Sequence, residues 1–201
     1  MANDELKKDP IVAMSEICGE EVIAIAHIEG EEENHPDPAN LPMMQRRMLV
    51  RSIFAYIEAL TYAIKQSSLG TSRRSPTAGE LSMVEETAFE LNDNGSLTTT
   101  RNKVRLFPNI RFAFNFYASL AGYTFSLDCS GKGWQNLTAS AKVRDRLMHP
   151  KSVVDLEVSA EEIRSALDAF FWFQHQIIAL LAAHNSHLRN KLANRPAKQA
   201  P

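Results

Sequence analysis

The sequence predicts an all-α fold, a helical bundle of about four to six helices. Three kinds of observation carry this. Apolar residues recur every three or four positions over Leu49, Ile53, Tyr56, Leu60 and Ala63 or Ile64, and again over Ile110, Phe114, Tyr117 and Leu120. A third series runs through Ile163, Leu167, Phe170, Ile177 and Leu181. This repeat lines one face of an α-helix. Start signals precede the runs: Asp9-Pro10, Asn40 with Pro42, and the capping box Ser159-Ala-Glu-Glu162. Stop signals follow them at Gly70, Gly122 and Pro150.

Taken in order, Asp9-Pro10 opens a helix predicted over residues 10 to 28, with Ile11, Met14, Cys18, Val22 and Ile25 on one side. Gly19 lies inside it, and residues 22–28 read alternatively as a strand. Residues 30–40, with Pro36 and Pro38, read as a linker. The second helix is opened by Asn40 and Pro42, ends before Gly70 and carries Arg46, Arg47 and Arg51 in its first turns. Glu58 stands among apolar neighbours, where a carboxylate needs a cation from another helix or a place in a site. Residues 71–79 form a polar, basic loop, 80–91 a short helix and 92–95 a turn, while 98–103 fit no single pattern. A helix over 108–122 follows, with the alternation Phe112, Phe114, Phe116 keeping a strand open. The last two helices end at His149 and near Leu192. Around residues 170–173 the final helix is apolar on nearly every side, which fits deep burial or a partner chain.

The chain has 201 residues, enough for one well-buried domain, with 44% hydrophobic and 23% charged residues. The sequence divides into an acidic N-terminal extension with a possible helix and linker (1–39), a helical domain (40–192) and a tail expected to be disordered (193–201). Residues 1–39 hold 11 acidic against 2 basic residues, a net of -9, leaving 13 against 20 in residues 40–201, a net of +7. A basic body favours a polyanionic partner, and an acidic appendage either masks that surface or is a solvated connector. No secretory signal and no uninterrupted apolar stretch of roughly 20 residues is evident, so a cytoplasmic location without a membrane partner is expected. Cys18 and Cys129 are too few for a disulfide framework or a thiolate zinc site. His184 and His187 share a face of the last helix but find no third ligand, and neither a metal nor another cofactor is expected. The segment Asp128-Cys-Ser-Gly-Lys-Gly133 lacks the residue order of a phosphate-wrapping loop.

The candidate chemistry lies in Lys142-Val-Arg-Asp-Arg-Leu-Met-His149-Pro150-Lys151. Proline cannot continue a helix and disfavours the α conformation in the residue before it, so this helix is predicted to end near Met148 with His149 in an extended or turn conformation. There the helix dipole favours the imidazolium while Arg144, Arg146 and Lys151 oppose it, a balance suited to a group that both accepts and donates a proton. Arg144 supplies a fixed planar cation for a phosphate oxygen. An Arg and a His five positions apart also occur at ordinary solvated helix ends.

Arg144-Asp-Arg-Leu-Met-His149 resembles the R-x(4–6)-H motif of the HEPN superfamily, with a polar residue directly after the arginine. The helix from Arg46 to Leu60 is similar to that family's long first core helix, and residues 155–163 lead into a final helix as in the family. The resemblance covers roughly residues 40 to 190. It implies an all-α bundle that dimerises with its two motifs facing each other across a cleft, and metal-independent endoribonuclease activity. Many members act in toxin–antitoxin, abortive-infection and RNA-processing systems. Arg144 and His149 would be catalytic and Asp145 would support them. RNA 2′-hydroxyl attack would leave 2′,3′-cyclic phosphate and 5′-hydroxyl ends, and DNA would be inert. Lys142, Arg146, Lys151, Arg47 and Arg51 are the candidates for RNA backbone contact. Residues 1–39 and the 71–79 loop have no counterpart in a minimal bundle of this kind. Some members are non-catalytic modules for dimerisation or for RNA or protein binding, including partners of an antitoxin or a nucleotidyltransferase.

Overall fold

The computed structural model of the protein describes residues 9–26, 37 and 40–194. Most of the linker, the end of the first helix at 27–28, the Glu29–Glu33 acidic run and nearly all of the 193–201 tail lie outside the described residues. Six helices and one hairpin make up the described chain: α1 (Pro10–Ala26), α2 (Met43–Gly70), α3 (Ala78–Glu85), β1 (Thr87–Leu91), β2 (Leu97–Arg101), α4 (Leu106–Ala121), α5 (Lys132–Met148) and α6 (Ala160–Ala193). A short 3-10 turn at Val154–Leu156 joins α5 to α6.

Helix α2 is the axis of the bundle, packed against α1, α4, α5 and α6. Its apolar positions extend beyond the single stripe read from the sequence, because Val50, Phe54 and Ile57 are buried as well as Leu49, Ile53, Tyr56, Leu60, Ala63 and Ile64. Only one line stays open, through Met44, Met48, Arg51, Ala55, Glu58 and Tyr62, whose alternating steps of four and three keep to one side of the helix. The core beneath is aromatic: Tyr56 meets Phe170 edge-on at 4.8 Å, and Phe114 meets Phe173 edge-on at 6.0 Å. Such pairs contribute about 0.5–1.5 kcal/mol beyond their buried area.

α1 is helical throughout its described length, including residues 22–26. It belongs to this core, with Ile11, Val22 and Ala26 buried in the same cluster as α2 and α6. Gly19 faces Tyr56, whose Oη is 3.2 Å from Ser15 Oγ. α6 is long and apolar enough to cross a membrane by length and composition. Here it is a core helix, burying Ile163, Ala166, Phe170, Phe173, Ile177 and Leu180. The Ser159–Glu162 capping box forms as predicted, with Glu162 N–H on Ser159 Oγ and Ser159 N–H on Glu162 Oε2.

The hairpin departs from the all-α expectation, and it corrects the helix predicted over 80–91. α3 ends at Glu86, whose left-handed backbone (φ 53°, ψ 40°) breaks the helix one residue before Thr87. The next residues alternate in a Thr- and Phe-containing run that suits a pleated strand. β1 pairs antiparallel with β2 from Thr87↔Arg101 to Leu91↔Leu97, around a loop closed by Gly95 at φ 79°. α4 starts two residues before Pro108, and Gly122 ends it at φ 81°.

Candidate functional site

α5 runs antiparallel to α2, and two arginines join them. Arg144 on α5 bonds Glu58 on α2, while Arg51, seven residues earlier on α2, donates to the carbonyl of Leu147, three residues later on α5 (3.1 Å). Glu58 thus has its cation on another helix. The guanidinium of Arg144 also donates to Asp145 Oδ1 at 3.1 Å and lies 5.8 Å from the centre of the buried Phe54 ring. Asp145 is therefore in contact with Arg144, within reach to hold its orientation.

The helix ends where the sequence puts its end. Met148 is the last helical residue, and His149 caps it with its N–H on the carbonyl of Asp145 at 3.0 Å. Its φ of -132° and ψ of 57° lie outside the helical region, and the residue is exposed. A surface imidazole at a helix stop is free to meet a substrate. The same position suits an ordinary solvated cap.

The basic cluster around the motif is divided by the helix. Lys142 and Arg146 are four residues apart and share a face, while Arg144, two residues from either, points to the opposite side. Lys142 and Arg146 line a cleft with Ser159 and Glu162 against the start of α6. Arg146 is engaged by the fold: it donates to Glu162 at 2.7 and 3.0 Å, to the carbonyl of Asp155 at 3.1 Å and to that of Glu157. Those bonds from Arg146, then one from Ser159 N–H, hold the Glu162 carboxyl below its ordinary range. Arg146 is thus a cross-brace between α5 and α6, set apart from Arg144. Arg46, in the same region, donates to the carbonyls of Leu41 and Val158. Lys151 is exposed, and its backbone N–H, with that of Ser152, lowers the Asp155 carboxyl. Arg47 is half-buried in the second turn of α2.

Arg144 instead lines a groove of about 690 Å³ that the sequence does not announce. Its walls are Glu58 and Tyr62 of α2, Glu86, and the connector from Arg101 to Leu106 that leads into α4. His149 is not among its lining residues. Behind the groove the fully buried Lys65 donates to Glu86 Oε1 at 2.9 Å and to the carbonyl of Met83 at 3.2 Å. A signal for the cationic wall exists in the sequence: Arg101, Lys103 and Arg105 alternate with Asn102 and Val104, a spacing that turns three cations outward from one segment.

The histidines of α6 serve another place. Tyr117 Oη is 2.7 Å from His184 Nδ1, and Tyr123 Oη donates to the carbonyl of Leu180 at 3.1 Å. Burial pushes the Tyr117 phenol up to about 12 and the His184 imidazole below its ordinary value. Among the described residues no group of three or more His, Cys, Asp or Glu side chains is arranged to hold a metal ion. The glycine-rich segment before α5 is a packing device: Asp128 Oδ1 accepts the N–H groups of Ser130 and Gly131, and Gly133 lies directly against Trp172.

No protein-family model, curated protein or solved structure matches the chain.

Proposed function

We propose that this protein is a metal-independent endoribonuclease of the HEPN type, acting as a cytoplasmic homodimer in a toxin–antitoxin or phage-defence system. One observation carries the reading. Arg144 holds its guanidinium in the wall of a basic groove, and five residues later His149 ends the same helix with an exposed imidazole. In the proposed reaction the RNA 2′-oxygen bonds to the adjacent phosphorus as the bond from phosphorus to the 5′-oxygen breaks. His149 takes the 2′-hydroxyl proton, and the imidazole of the facing subunit protonates the departing 5′-oxygen. Arg144 donates to the non-bridging oxygens as their charge grows, a role that suits a planar, permanently charged group. Asp145 and Glu58 hold that guanidinium in place.

The pairing of Arg144 with two carboxylates favours a second reading. A guanidinium already neutralised within the fold suits a non-catalytic module that dimerises and binds RNA or a protein, such as an antitoxin or a nucleotidyltransferase. Purified protein incubated with total RNA in EDTA separates the two. The enzyme reading expects cleavage that Arg144→Ala and His149→Ala each abolish. Cleavage unchanged in both variants rejects the site, and intact RNA across diverse substrates favours the binding module.

A further inference from the structure

The groove beside Arg144 holds more chemistry than a salt bridge needs. Its two carboxylates are answered from within the fold, Glu58 by Arg144 and Glu86 by the buried Lys65. Arg101, Lys103 and Arg105 remain exposed on the opposite wall, and Arg101 keeps 85% of its side chain in solvent although Glu86 lies 3.8 Å away. Tyr62, 43% exposed, stands in the α2 wall facing this connector. The volume is within the range of ligand clefts, about 300–1,000 Å³. A line of cations beside an exposed aromatic ring is the combination that binds unpaired nucleic-acid strands, since cations track the phosphates and the ring stacks on any base.

We infer that this groove is the track for an unpaired RNA strand, with Arg101, Lys103 and Arg105 on its phosphates and Tyr62 stacked on a base. The choice of RNA over another polyanion rests on the ribonuclease reading above. The strand would pass from the connector across Tyr62 to Arg144 and on along the open line of α2 to Arg51, which donates to the carbonyl of Leu147 two residues before His149. Duplexes are excluded from the stacking contact because their bases are already paired and stacked.

Equilibrium binding of a fluorescent 2′-O-methyl oligonucleotide tests this without cleavage, so a dead enzyme and a wrong groove give different results. The wild type should bind the single strand at low salt at least tenfold more tightly than a duplex of the same sequence. Arg101→Gln/Lys103→Gln/Arg105→Gln should weaken binding at least tenfold and lower the slope of log affinity against log salt by about 2, since each phosphate contact on a single strand contributes about 0.7. The single variants Arg101→Gln and Lys103→Gln should each lose part of this, so the outcome does not hang on how the triple variant folds. Tyr62→Leu should weaken the oligonucleotide several-fold and leave heparin, which has no bases, unchanged. Equal affinity of the triple variant and wild type overturns the proposal. So does equal binding of duplex and single strand with Tyr62→Leu silent, which would make the groove a general polyanion surface.

Discussion

Replacing Glu86 by Gln should unfold this protein more readily than replacing the lysine it serves. Lys65 has no solvent exposure and depends on Glu86 Oε1 at 2.9 Å and one carbonyl at 3.2 Å. At an effective dielectric near 20 the pair attracts by about 6 kcal/mol at that separation. The loss of hydration costs several kcal/mol per ion, so the intact pair contributes little net stability. Removing the carboxylate alone leaves the cost and takes away the attraction, a loss of about 3–5 kcal/mol. The amide of Glu86→Gln keeps one acceptor and puts the loss near the lower end, about 3 kcal/mol. Lys65→Met is gentler. It fills the same space without charge and leaves Glu86, which is 24% exposed and 3.8 Å from Arg101, still solvated, at a cost of about 1.5 kcal/mol or less. The double variant should recover most of the difference. Urea unfolding followed by tryptophan fluorescence gives the three values. If Glu86→Gln proves no more harmful than Lys65→Met, the buried charge is not what fixes this junction between α2 and the hairpin.

Two further outcomes follow from the packing and the ion pairs. Gly133→Ala should cost about 1–3 kcal/mol, because its Cβ would fall 2.1 Å from the Trp172 ring and force α5 and α6 apart. At roughly 2–4 °C per kcal/mol, thermal denaturation should show a midpoint several degrees lower, and an unchanged midpoint would mean the contact yields freely. The Glu80 carboxyl is lowered to about 2, first by its bonds from Arg74 and then by Thr77 N–H. Its folded value lies below the unfolded one, so its stabilisation is complete above about pH 4.5 and fades as the pH falls through 2. The stability gap between wild type and Glu80→Gln should therefore close between pH 4.5 and 2, and a constant gap contradicts the linkage.

The long helices are legible because each carries its own periodicity, and the last one its own capping box. Ser159 with Glu162, Pro150 after His149 and the stripe on α2 are local signals, and the structure follows them. What the sequence hid depends on distant contacts. The left-handed residue at 86 is held by Lys65, 21 positions away, so nothing near it announced that α3 would stop and a hairpin begin. Helix α1 reads as part of an acidic extension because acidic residues flank it on both sides in the sequence. Its buried Ile11 and Val22 show that deleting residues 1–39 would remove a piece of the core. A test of charge masking should instead neutralise Glu29, Glu31, Glu32 and Glu33. In the motif, a helix turn of about 100° per residue was enough to separate Arg144 from Lys142 and Arg146. The groove is not legible locally because its walls come from four segments, α2, Glu86, the connector into α4 and α5, that meet only in the folded chain.

The chemistry at Arg144 and His149 is tested most directly by a defined single-stranded RNA and its copy carrying one 2′-deoxy sugar at the cleaved position, both treated in EDTA and weighed by mass spectrometry. The first should yield fragments with 2′,3′-cyclic phosphate and 5′-hydroxyl ends, and the second no cut at that position. Fragments with 3′-hydroxyl and 5′-phosphate ends, or cleavage at the deoxy position, would contradict it.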